Sequence, residues 1–134
     1  MEFDFKIEDK VRDYELDIQG VVNNAAYFNY CEHARHEFLL YKGIDFAELA
    51  RQNIHLMVVE VNGKYRLPLT SGDRYHSCIR LEAEGRARFA FVQEIYRCSD
   101  DKLAFSARVI GVALNERGRP FLPKALAAIL SELS

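Results

Sequence analysis

The chain has 134 residues, 49% hydrophobic and 28% charged. That is one domain's worth of sequence with the composition of a folded globular protein rather than a disordered one. A formal net charge of −2 and a pI near 6.1 give no general attraction to phosphate backbones or anionic lipid, so neither a nucleic-acid nor a membrane-surface role is expected.

Cys31, Cys78 and Cys98 are far apart, odd in number and form no CxxC, which predicts free thiols in a reducing, cytoplasmic setting. The opening "MEFDFKIEDK" lacks the arrangement of a signal peptide. No apolar run reaches the roughly 20 residues that a bilayer span needs. The expectation is a soluble, intracellular protein without linkers or repeats.

Along the chain, "FDFKIEDKV" alternates, with Phe3, Phe5 and Ile7 on one face and Asp4, Lys6 and Glu8 on the other, and predicts a half-buried strand. The segment through Gly20 has no helical period and reads as a loop. From Ala25 to about Tyr41 the period becomes helical, with Tyr27, Tyr30, Cys31, Ala34, Phe38 and Tyr41 on one side and Gly43 placed to end the helix. A shorter helix is expected around Phe46 to Gln52.

Four strands follow: "IHLMVVEVNGKYRL", "DRYHSCIRLEA", "RFAFVQEIYRC" and "LAFSARVIGVAL". The last is apolar on nearly both sides. The polar segments "LTSGD", "AEGRA" and "CSDDK" are short enough to join antiparallel neighbours. A final helix begins near Pro123, with Leu126, Ile129, Leu130 and Leu133 on one face. The pattern predicts an α+β domain in which a curved antiparallel sheet of four or five strands wraps an aromatic-rich helix.

The stretch "ELDIQGVVNNAAYFNYCEHAR" is over-equipped for a helix start, which needs one capping residue. It resembles the motif of hotdog-fold acyl-CoA thioesterases of the 4-hydroxybenzoyl-CoA thioesterase type. That motif runs acid, spacers, Gly, two short residues, a polar pair, then a Tyr-rich helix carrying an acid and Arg. Asp17, Gly20, Val22, Tyr27, Glu32 and Arg35 take those places. "YRLPLTSGD" resembles the Tyr-x-x-Pro-x-x-x-Gly-Asp strand and turn of these proteins, and "RARFAFVQEIYR" and "GRPFLP" extend the likeness over nearly the whole chain.

The chain departs from the motif at Asn23 and Asn24, where one branch has Tyr-His, and at Val21, where a Gly-His-Val-Asn-Asn branch has His. No histidine's role is therefore carried over to this loop, and no substrate is borrowed from either branch. The resemblance implies a single hotdog domain over residues 1–134, paired as a homodimer or homotetramer with its sites between subunits. It implies hydrolysis of acyl-CoA, with coenzyme A part of the substrate and no separate cofactor. An acyl-carrier-protein thioesterase and a non-catalytic acyl-CoA binding protein are the alternatives.

Thioester hydrolysis needs a nucleophile or activated water, and a donor for the negative charge growing on the carbonyl oxygen. A carboxylate supplies the first and a helix N-terminus the second. Asp17 is assigned as nucleophile or general base, the backbone N–H near Asn24 as carbonyl polariser, and Gly20 as the bend that aims them. Asn23 and Asn24 also offer amides to the substrate; the plainer reading makes Asp17 and Asn23 loop and cap residues.

Glu32 is either a second carboxylate near the acyl group or a helical ion-pair partner of Arg35 and His36. Glu15 ranks below both acids. Among the aromatic face, assigned to the core, Tyr27 alone is expected to approach the ligand. Arg86 and Arg88 are expected near the CoA phosphates, on the family's pattern, with Lys64 and Arg66 weaker candidates. His33 and His36, in "HARH", have zinc-like spacing, but neither His55 nor His76 adds a third ligand at motif spacing, so no metal is expected.

Overall fold

The computed structural model describes residues 2–133. Among them are strands β1 (Phe5–Lys10), β2 (His55–Tyr65), β3 (Arg74–Glu84), β4 (Arg88–Arg97), β5 (Lys102–Leu114) and β6 (Pro120–Phe121). The helices are α1 (Asn24–Tyr41), α2 (Phe46–Arg51) and α3 (Lys124–Leu133), with a 3₁₀ turn at Asp13–Glu15. The strands form one antiparallel sheet in the order β1-β3-β4-β5-β2, with β6 added to β5.

Strand alternation decides which face meets the helix. Tyr75, Ile79, Phe91, Ile95, Phe105 and Val109 are buried against α1, which presents Tyr27, Tyr30, Ala34 and Phe38 at spacings of three and four. The rings lock together: Tyr30 stacks on Tyr75 at 4.7 Å between centroids and Tyr27 on Phe105 at 5.0 Å. Each fully buried aromatic such as Phe38 or Phe105 stabilises the fold by about 1.5–3 kcal/mol. Irregular register between Val58 and Glu60 in β2, and between Ile95 and Tyr96 in β4, bends the sheet around α1.

The differences from expectation have physical causes. The helix starts at Asn24 because the Asn23 side chain caps it, accepting from Ala25 N at 2.9 Å. The sheet gains a sixth strand because Pro120 and Phe121 pair back onto Leu114 and Ala113. The apolar β2, whose place in the sheet the sequence left open, is the free edge, and Met57, Val58, Val59 and Val61 are each about half exposed. On α3, Leu126 and Ile129 are buried and Leu130 packs on the core, while Leu133's side chain lies outside the described residues. No helix among the described residues is long and apolar enough to cross a membrane.

Candidate active site

The segment before α1 is a closed loop. Leu16 bridges antiparallel to Val22, Asp17 N donates to Val21 O at 2.8 Å, and Asn23 N donates to Glu15 O at 2.9 Å. A turn closes its tip, with Gly20 N donating to Asp17 O at 3.0 Å, and Gly20 holds φ +79°, a conformation other residues adopt at a cost. Asp17 is half-buried. Its Oδ1 accepts from Gln19 N at 2.8 Å and from Val21 N at 3.4 Å, while its Oδ2 takes no hydrogen bond among the described residues. One carboxylate oxygen is pinned and the other is open.

At the helix mouth, Asn23 claims two of the first-turn donors. Its side-chain oxygen takes Ala25 N–H and its carbonyl takes Ala26 N–H. Asn24 N–H has no protein acceptor among the described residues, and Asn24 is exposed. It is the unspent donor of the helix N-terminus, where the macrodipole favours negative charge. A cleft of about 280 Å³ opens there, walled by Val21, Val22, Asn24, Tyr27, Tyr65 and Pro68 among others. Asp17 stands behind that wall, hydrogen-bonded to Val21 rather than lining the cleft itself.

Tyr27 reaches the cleft but is otherwise core. It is buried, its oxygen accepts from Leu69 N at 3.3 Å, and burial raises its phenol above the ordinary value. Glu15 points away: its Oε1 accepts from the Tyr30 hydroxyl at 2.7 Å and from Arg12 N at 2.8 Å. Burial, with this bond second, pushes the Tyr30 phenol well above the ordinary value.

Glu32 forms no ion pair within 4.0 Å with Arg35 or His36 among the described residues, but its charge favours the Arg35 cation from further off. It lines a second cavity of about 430 Å³ between α1, α2 and the start of β2. Eight residues of helix separate it from Asn24, about 12 Å along the axis.

Arg86 and Arg88 are exposed in the β3–β4 turn and at the start of β4. β3 carries the chain from the Asp73–Val11 contact to that turn, roughly 36 Å over its 11 residues at strand rise. Within one chain they are therefore remote from Asp17; Arg88 pairs with Val112, beside Met57. Lys64 and Arg66 are nearer, with Arg66 on the cleft wall.

His33 and His36 are exposed on α1. The potential donors that do converge are Glu8, His76 and Cys98, within 4.8 Å of one another, but Arg74 already binds Glu8 Oε2 at 2.7 Å.

Gln93 is the important residue that the sequence reading passed over. It is fully buried, donating from Nε2 to Cys31 O at 3.0 Å and accepting from Arg35 Nη1 at 3.0 Å. Arg35 is half-buried over the Phe91 ring at 6.0 Å, and desolvation lowers its guanidinium below the ordinary value. The signal was present: in "RFAFVQEIYR" Gln93 occupies the inward position between Phe91 and Ile95. A polar side chain at a core position needs a partner.

An antiparallel sheet wrapped on a capped aromatic helix, entered through an acid-bearing loop, defines a hotdog-fold protein of thioesterase type. The family model of the thioesterase-like superfamily matches residues 11–130, and the chain belongs to that family. It is similar to the chloroplastic acyl-acyl carrier protein thioesterase ATL3 of Arabidopsis thaliana, with 43% identity over 115 residues, 86% of this chain and 60% of that protein. The chain thus spans about three-fifths of the length of the Arabidopsis relatives it matches.

Among solved structures, the probable thioesterase YbaW from Escherichia coli superposes with a TM-score of 0.82 at 26% identity, covering 96% of this chain and 97% of that one. The 1,4-dihydroxy-2-naphthoyl-CoA thioesterase Slr0204 from Synechocystis shares the fold, with a TM-score of 0.87 at 22% identity over 96% of each chain.

Proposed function

We propose that the chain hydrolyses an acyl-CoA thioester to the free acid and coenzyme A. Asp17 acts as nucleophile or general base, and Asn24 N–H donates a hydrogen bond to the carbonyl oxygen as negative charge builds there. The observation carrying this reading is the unspent Asn24 N–H at a helix mouth whose neighbouring donors are already satisfied, with the Asp17 carboxylate, one oxygen free, in the loop behind the cleft wall. Such a donor lowers the barrier by roughly 3 kcal/mol, because it is aimed before charge develops. Asn23 serves by fixing that geometry and Tyr27 by packing the inner wall of the cleft.

The reaction draws on these side chains and on water; coenzyme A enters as part of the substrate. Arg86 and Arg88 reach its phosphates only from a second copy of the chain, and the half-exposed apolar edge of β2 is the surface on which two copies pair as a homodimer. Acyl carrier protein is the alternative carrier, supported by the likeness to ATL3.

Asp17→Asn tests the assignment on a panel of acyl-CoA and acyl-carrier-protein thioesters. The expected loss in kcat is about 10²–10⁴-fold with KM little changed. Near wild-type turnover would sink it, and tight acyl-CoA binding without thiol release would favour a binding protein.

A further inference from the structure

We infer that the cavity between α1, α2 and the start of β2 is the chamber for the acyl tail, that the tail is an aliphatic chain, and that Phe89 lying on Gly111 is the floor that sets its length. The inference rests on the thioesterase reading above and names the substrate class of that site.

The chamber is wet at the rim and dry at depth. Glu32, His36 and His55 are exposed and ring the mouth, whereas Leu39, Phe89, Phe91 and Gly111 are buried and form the bottom. Arg35, which reaches inward on that wall, gives one Nη1 donor to Gln93 and lies over Phe91. An acyl group with a hydroxyl or charge at its far end would be buried among Leu39, Phe89, Phe91 and Gly111. Unless the group reaches one of the remaining Arg35 donors, that burial costs several kcal/mol on an alkane-like scale. A single aromatic ring is too small: a cavity of about 150 Å³ suffices for benzene, and this one holds about 430 Å³. A flexible hydrocarbon chain fills such a space.

The floor is set by one residue without a side chain. A β-carbon on Gly111 would come to 2.5 Å from Cε2 of the Phe89 ring, closer than atoms pack. The ring packs close against β5 because Gly111 leaves room for it, and the chamber owes its depth to that contact.

The chamber and the helix mouth sit at opposite ends of β2. Tyr65, the last residue of the strand, bonds to Asn24, while His55 to Val58, the first four, line the chamber. β2 is a free edge, so it can pair antiparallel with β2 of a second copy. A two-fold axis through the middle of the strand sets Tyr65 of one copy across from His55 of the other. The thioester held at one copy's Asn24 then feeds its tail into the other copy's chamber, and each site is incomplete without the second chain.

Thiol release is measured with saturated acyl chains of increasing length on coenzyme A and on acyl carrier protein, with benzoyl-CoA as the aromatic control. The wild type is expected to favour one aliphatic length, with kcat/KM for benzoyl-CoA at least about tenfold lower. Phe89→Leu should move the optimum to longer chains and Gly111→Ala to shorter ones, each changing the long-to-short ratio of kcat/KM about tenfold. Met57→Phe, at a half-exposed position on the wall, should shift the optimum to shorter chains without disturbing the core, and so decides the matter if the two core variants do not fold.

A benzoyl-CoA preference, or a length profile that none of the folded variants moves, overturns the inference. If the wild type releases no thiol from any carrier, the thioesterase reading fails and calorimetry with the same acyl-CoAs judges the chamber alone. Weaker binding of long but not short chains by Met57→Phe then supports the chamber, and equal binding overturns it.

Discussion

The Tyr65 hydroxyl donates to the Asn24 carbonyl at 3.1 Å, tying the last residue of the edge strand to the first residue of the aromatic helix. The bond holds the Asn24 carbonyl, while the Asn24 N–H, on the preceding peptide, takes no protein acceptor among the described residues. The helix mouth is thus tied to the free edge strand, the element on which both the proposed pairing and the proposed chemistry depend.

That N–H can be deleted with little damage to the helix. Asn24 is the first helical residue, where proline fits, and Asn23 before it has φ −58° and ψ 141°, the extended geometry that proline requires of its predecessor. Asn24→Pro is expected to retain the fold while kcat falls about 10²–10³-fold. Asn24→Ala keeps the N–H and should keep most of the turnover. Equal kcat in the two variants, measured by steady-state thiol release, would show that this donor does not polarise the carbonyl.

Gln93 links α1 to β4 through Cys31 O and Arg35 Nη1. Gln93→Leu fills similar space but strips Arg35 of its acceptor in a half-desolvated site. Urea denaturation should show a loss of about 1–3 kcal/mol, the cost of a buried polar group left unpaired. Adding Arg35→Met should recover part of it, because the orphaned charge goes with the side chain. Strict additivity of the two changes would mean that the pair is not coupled.

Periodicity carried most of the fold. The aromatic stripe of α1 and the inward alternation of β3 and β4 are local patterns, and burial follows them directly. The edge position of β2 was not legible, because its apolar, β-branched composition reads the same at a sheet edge as in the interior. In the candidate site, Asp17, Gly20 and the Asn pair were legible as a loop too elaborate for a cap. The division of labour between Asn23 and Asn24 was not, since it depends on which N–H the cap takes. The distance from Asp17 to Arg86 and Arg88 was hidden as well: it is a property of strand length and sheet order, not of the motif.

A pH prediction follows from the β4–β5 turn. Arg97 grips Asp100 with two nitrogens, Nε at 3.0 Å and Nη2 at 2.5 Å, and this pairing holds the Asp100 carboxyl at about 2, below its ordinary 3.8. The same arginine reaches Pro68 O at 3.4 Å, so the turn is tied to the segment walling the cleft. Because the folded value is depressed, the unfolded chain binds the proton first as pH falls. The stabilisation is present above pH 3.8 and disappears as pH drops through about 2. Glu8 and Glu82, lowered chiefly by hydrogen bonds from Arg74 and Arg108, act in the same direction.

Asp100→Asn should therefore be less stable than the wild type near neutrality, with a small gap because the pair is exposed and screened. That gap should narrow as pH falls below about 4. Thermal melts of both proteins across this window check the sign. A gap that stays constant down to pH 2 would mean that Asp100 titrates alike in the folded and unfolded chains, and that the Arg97 grip stabilises neither the turn nor the cleft wall it reaches.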